Sequence, residues 1–240
     1  MASKQIELPE IGTVNFVKRR GAKSIRVTIN ADSSVRVTLP PWVPYQAGIA
    51  FARSKKDWIK THQRPSKMFA QGELIGKAHR LLFVPVATSV TKSRINGTEI
   101  RISYPTQQQI SSPSIQAIAE KAARRALKKQ AEALLFRRLE DLAHTHGFRY
   151  KSVSVKRLKS RWGSCGPQAD ITLNIFLMQL PWQLIDYVLI HELVHTKVHN
   201  HGQDFWNLFE TVLPDAKKYR KQLRTYQPAF WHKHKRAAMA

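Results

Sequence analysis

A single cysteine, Cys165, occurs in 240 residues, which excludes an intramolecular disulfide and fits a reducing compartment. Long apolar runs are missing too: none approaches the ~20 residues that a membrane-crossing helix needs, so no membrane partner is expected. The opening MASKQIELPEIG has neither a basic n-region nor an apolar h-region and does not read as a secretory signal. Together these absences predict a cytoplasmic protein. Acidic side chains are scarce, with 16 Asp plus Glu against 40 Lys plus Arg, a formal charge of +24 and a pI near 10.6. Residues 1–115 carry 18 basic and 6 acidic groups, and residues 116–240 carry the remaining 22 and 10, so each half is +12 and no tail holds the excess. Such a field attracts polyanions without specifying one, and non-specific DNA binding is the partner it suggests. A solubility adaptation accounts for the same number equally well. With 42% hydrophobic residues, the chain has material for one large core or two small ones. Nothing in it sets an oligomeric state.

The N-terminal part reads as β-rich. Ile25, Val27 and Ile29 alternate with Arg26, Thr28 and Asn30, the period of a half-buried strand. A turn at Asp32-Ser33-Ser34 leads to Val35, Val37 and Leu39, which predicts a hairpin. Pro44 opens a helix running to about Thr61, with Trp58 and Ile59 on its buried side. Asn96-Gly97 is the strongest hairpin signal in the chain. Residues 104–113, rich in Gln and Ser, read as a linker. From Ser112 as N-cap and Pro113 at the first helical position, the period becomes helical and continues to Gly147, a residue suited to the position just past a helix end. Leu127, Leu134, Leu135, Leu139 and Leu142 supply that helix's apolar side, and Lys121, Arg124, Arg125, Lys128 and Lys129 a basic stretch. Strands are expected at 151–158 and 169–177, and Pro181 begins another helix.

That last helix carries His191-Glu192-Leu193-Val194-His195, an HExxH motif. Residues i and i+4 share a helix face, so two imidazoles converge on one ion, and zinc is the ion suited to imidazole ligands with one open position. Glu192 lies ~100° around from His191, too far to be a ligand but placed to take a proton from an activated water. A chain of this composition produces HExxH by chance ~0.015 times, and Ile185, Val188 and Leu189 give the buried helix such a site needs. The third ligand comes from elsewhere: His199, His201, Asp204 and Glu210 are the candidates. His201 has the metzincin spacing, but Val198 replaces that pattern's glycine and the only later methionine is Met239, so a metzincin is excluded.

From Ser160 onward the chain resembles the YgjP-like metallopeptidases, small cytoplasmic zincins. The resemblance rests on Ser160-Arg161-Trp162-Gly163-Ser164-Cys165, on Asn174 within Leu173-Asn174-Ile175, and on the run from His191 through Asn200-His201 to Phe205-Trp206. Asp186-Tyr187-Val188, the basic strand 19–29 and Asp57-Trp58-Ile59 fit as well, so it covers most of residues 15–225. Gln203 and Asp204 depart from it, standing where such sequences often carry Pro-Glu. It implies an α+β fold: a β-rich N-terminal domain over 1–110, a minimal zincin-like, gluzincin-type catalytic domain over 111–232, and a basic tail over 233–240. It also implies His191, His195 and His201 as zinc ligands, Glu192 as general base, and a protein or peptide substrate. The family is similar to the SprT-like and WLM proteases, which cut DNA-bound proteins; that likeness says nothing of the substrate here.

Helix geometry bears on the choice between His199 and His201. At ~1.5 Å rise per residue His191 and His199 lie about 12 Å apart along one axis, too far for bonds of ~2.0–2.1 Å to one ion. The chain must therefore leave the helix after Val198 and reverse, and Asn200 and Gly202 tolerate the left-handed backbone such a reversal uses. Arg161, Trp162 and Asn174 are the candidate substrate contacts: Arg161 for a carboxylate or oxyanion, Trp162 as a pocket floor, and the strand at 170–176 as a pairing edge for an extended peptide. Trp162 is equally explained by core packing, and Gly163 by a bulge. Two function classes follow: a zinc peptidase, or a nucleic-acid-associated protein with a structural or vestigial zinc site. An intact Glu192 favours the first.

Overall fold

Alternation of apolar and polar residues in Gly12–Lys18 (β2) and Val35–Leu39 (β4) puts Val14, Phe16, Val35, Val37 and Leu39 on one fully buried face. The computed structural model describes residues 3–29, 34–62, 68–158 and 160–226. With Ser3–Leu8 (β1) and Arg26–Ile29 (β3), these strands form a sheet ordered β1-β2-β4-β3, in which β2 and β4 run parallel and the outer pairs antiparallel. The hairpin read from Val27 and Val37 is present as the β3–β4 pair; residues 32 and 33 of its turn, like the tail 233–240, lie outside the described residues. Helices Tyr45–Ser54 (α1) and Lys56–His62 (α2) accompany this sheet. Pro44 caps α1 as expected, but the helix breaks at Lys55, and of the pair expected inside only Ile59 is buried; Trp58 is 43% exposed. Neighbours on a helix point ~100° apart, so one core face cannot take both.

The second compact unit begins at Met68. Strands Leu74–Ile75 (β5), His79–Val86 (β6), Lys92–Asn96 (β7) and Glu99–Pro105 (β8) form a sheet ordered β5-β6-β8-β7, with the β7–β8 hairpin at Asn96-Gly97. Pro113–Thr145 (α3), 33 residues and about 50 Å long, packs on this sheet. It does so through Ile115, Ala119, Ala122, Ala123, Ala126, Leu127 and Ala131, small side chains that let the helix lie close. Two buried glutamines lock the contact. Gln116 accepts from the Phe69 N–H and donates to the Phe69 and Ile110 carbonyls; Gln130 accepts from the Lys77 N–H and donates to the Ile75 carbonyl. Buried amides of this kind must be hydrogen-bonded, and both glutamines are.

The far half of α3 supports the rest. Leu135, Leu139 and Leu142 are buried there while Leu134, a neighbour ~100° away, is 37% exposed and leaves the expected apolar side. Ser152–Lys156 (β9), Gly163–Cys165 (β10) and Asp170–Asn174 (β11) make a sheet ordered β10-β11-β9, with β10 antiparallel and β9 parallel to β11. A 3-10 turn, Ile175–Gln179, leads into Trp182–Val194 (α4), followed by Gln203–Val212 (α5) and Ala216–Thr225 (α6). Arg138 of α3 grips Asp186 of α4 through two parallel hydrogen bonds of 2.7–2.8 Å, fixing the register of the motif helix on α3. The whole is a mixed α+β protein, and among the described residues no helix is long and apolar enough to cross a membrane.

Candidate metal centre

Buried Leu184, Ile185, Val188, Leu189 and Leu193 hold α4 in the core, so its exposed rim falls at His191 and at His195, the C-cap residue. The helix ends at Val194, four residues before the expected break, because a turn follows in which the Thr196, Lys197 and Val198 N–H groups donate to Leu193 and Val194. The reversal needs no left-handed residue: Gly202 caps α5 with φ −75° and ψ −170°, and Ala169 alone among described non-glycine residues has positive φ. That corrects the left-handed reading of Asn200 and Gly202. The turn still returns His201 to the helix end.

There the three Nε2 atoms of His191, His195 and His201 form a near-equilateral triangle, 3.1–3.2 Å on each side. Two ligands bonded at ~2.0–2.1 Å to one tetrahedral ion lie about 3.3–3.4 Å apart, so the triangle fits such an ion closely. Among the described residues these three are the group able to hold a metal; His199 is exposed and outside it, Asp204 is exposed, and Glu210 pairs with Lys217. His195 Nδ1–H donates to the Val198 carbonyl at 3.1 Å, which leaves Nε2 as the lone-pair nitrogen. Burial, then the neighbouring His195, His201 and Arg220, push His191 down to about 3; burial foremost also lowers His195 and His201. All three rings are therefore neutral at pH 7, the form that ligates. His191 Nδ1 is buried without a hydrogen-bond partner. Phe205 of α5 lies beneath the triangle, its ring centre 4.6–5.0 Å from each imidazole, and Tyr187 stacks against His191. Neither stands out in the sequence as a site residue; the Phe205-Trp206 and Phe209 spacing after His201 is the signal that points to a wall there.

Glu192 is 4% exposed. Burial raises its carboxyl to about 8, against the Arg161 charge and the Cys165 N–H, which both favour the anion. A cation in the triad would add to that pull. Arg161 is exposed and close enough to act on Glu192. Trp162, 8% exposed, belongs to the main core, which is the packing reading and leaves no floor for a pocket. Asn174 is fully buried: its amide donates to the Leu158 and Arg161 carbonyls and accepts from the Phe176 N–H. It holds the Arg161 segment in place and cannot touch substrate. Nor can β11 offer an edge, since β9 and β10 flank it on both sides.

Cys165 is a free thiol that burial, with the charges of Glu192 and Asp170, pushes up to about 11. It stands outside the metal-holding group. Thiolate is the reactive form, so at pH 7.5 alkylation by iodoacetamide should run about 100-fold slower than for a thiol of pKa near 9, and its rate should climb about tenfold per pH unit to pH 10. Cys165→Ser should keep metal content and activity; a fast-reacting thiol, or loss of metal in the serine variant, would return Cys165 to the site.

The YgjP-like metallopeptidase domain, as a family profile, matches residues 23–226. Two solved structures are similar over 36% of this chain and 89% of their own: the metallopeptidase zymogen of Pyrococcus abyssi abylysin, 29% identical with a TM-score of 0.34, and that of Methanocaldococcus jannaschii jannalysin, 18% identical with 0.33. Overlap of that extent does not bear on the whole fold. No curated protein sequence matches the chain.

Proposed function

This chain belongs to the YgjP-like metallopeptidase family, and from that premise we propose that it is a zinc peptidase in which His191, His195 and His201 hold the metal and Glu192 is the general base. The observation that carries the reading is the triangle of Nε2 atoms beside a buried carboxyl on the next residue. Three histidines leave a tetrahedral ion one position for water, whereas a structural site is closed by a fourth side chain, and the metal-holding group among the described residues has three members. When bound, zinc supplies Lewis acidity and lowers the pKa of water toward ~7. Glu192 takes a proton at its carboxylate and returns it to the leaving amine. Arg161, exposed beside it, pairs with a substrate carboxylate or carbonyl oxygen. The test is cleavage of an unbiased peptide library by the zinc-loaded protein, abolished by chelation and restored by zinc; a fully loaded protein that cuts nothing would overturn the reading.

For the basic surface, we propose nucleic-acid phosphates as the partner, on one specific observation. On the face of the second sheet away from α3, Arg94 stands directly opposite Arg101, which pairs with Glu99 at 2.7 Å, and exposed Lys92 and Arg80 share that face. Like charges paired across strands destabilise a sheet, and a phosphate backbone relieves that. Log affinity for duplex DNA should fall steeply with log salt, and Lys92→Ser with Arg94→Ser should flatten the slope by about 1.8. Binding indifferent to salt, or a slope unchanged in the double variant, would remove this face from the interface.

A further inference from the structure

The segment Ser160–Cys165 is held from below and presses from above on α4. Asn174 pins it twice, through its side chain to the Leu158 and Arg161 carbonyls and through its N–H to the Trp162 carbonyl at 2.9 Å. Next in the chain, Gly163 starts β10 in antiparallel register with Leu173, alongside α4. A Cβ at Gly163 would lie 2.6 Å from Glu192 Oε1 and 2.9 Å from its Cδ and Cγ, and those are the three nearest atoms it would meet. The missing side chain at 163 is thus space that Glu192 fills.

We propose that Gly163 is a positioning residue for Glu192: β10 forms a seat in which the bare Cα at 163 admits the Glu192 side chain. The inference rests on Glu192 being the base, and it explains a glycine that a bulge does not, since Gly163 lies in regular β-pairing without the positive φ that demands glycine. An alanine is therefore compatible with the backbone, and its closest clashes all fall on Glu192. Because Cγ as well as the carboxyl is too close, the whole side chain must swing out of its seat. Misplacing a reacting group by about 1 Å costs on the order of 100-fold in rate.

The experiment is a cycle of Gly163→Ala and Glu192→Ala in the zinc-loaded full chain, with Glu192→Gln as reference. Gly163→Ala should lower kcat at least about 100-fold with KM changed less than about threefold and one zinc retained. It should lower Tm in the native background and not in Glu192→Ala, where the new methyl enters vacated space. A glycine needed for any other reason would lower Tm equally in both. If Gly163→Ala proves too unstable to purify, recovery of a folded, zinc-binding Gly163→Ala/Glu192→Ala protein supports the seat, and a double variant just as unstable overturns it. Near-native kcat in Gly163→Ala while Glu192→Gln is inactive overturns the seat alone. An active Glu192→Gln overturns the base assignment, and the seat with it.

Discussion

Glu192→Gln should bind one zinc per chain and hydrolyse peptide at least about 100-fold, and up to about 10⁴-fold, more slowly, the range over which a positioned general base contributes. The amide has the shape of the carboxyl it replaces, so it fits the space beside Gly163. The metal ligands are untouched, because Glu192 is outside the triad. What the amide lacks is a basic oxygen: it neither takes a proton from water nor delivers one to the leaving nitrogen. Metal content by mass spectrometry beside kcat on one cleaved peptide separates the two effects. Turnover near the native value with zinc in place would show that another group is the base, and loss of zinc would show that Glu192 holds the metal.

His201→Ala should abolish tight zinc binding and activity, while His199→Ala keeps most of both. Apparent zinc-binding energies of roughly 10–16 kcal/mol over four ligands come to about 2.5–4 kcal/mol each, so one lost imidazole weakens affinity by roughly 60- to 700-fold. His201 Nε2 is 3.1–3.2 Å from both partners, so nothing else closes the triangle once it is gone. His199 is exposed, and its contribution is a like-charge influence on His195. A chelator competition titration on both variants decides it; a weakened His199→Ala beside an intact His201→Ala would redraw the site.

Features governed by neighbours in the chain were legible from composition and spacing alone. Ser112, Pro113 and Gly147 bracket α3, Asn96-Gly97 closes the β7–β8 hairpin, and the alternation at Val27 and Val37 makes the β3–β4 pair, because caps, turns and pleat are local geometry. HExxH is local in the same sense: i and i+4 share a helix face whatever surrounds it. The distance argument against His199 is equally local, although where the helix ends was not, since that is decided by the turn donating back to Leu193 and Val194.

Partners far along the chain are set by folding and leave no local trace. Gln116 and Gln130 carry no sequence mark that separates an anchor from a solvated glutamine, yet they tie residues 69–77 to α3. Asn174 and Trp162 are residue types that bind substrates, and burial removes both from the surface. Gly163 reads as a bulge until Glu192, 29 positions on, is seen filling its missing Cβ. Local pattern alone gives three histidines at a spacing that lets them meet as a candidate metal site. Folding decided which residues may touch the reacting groups and which only hold them, because burial and hydrogen-bond satisfaction are properties of distant neighbours that no local pattern encodes.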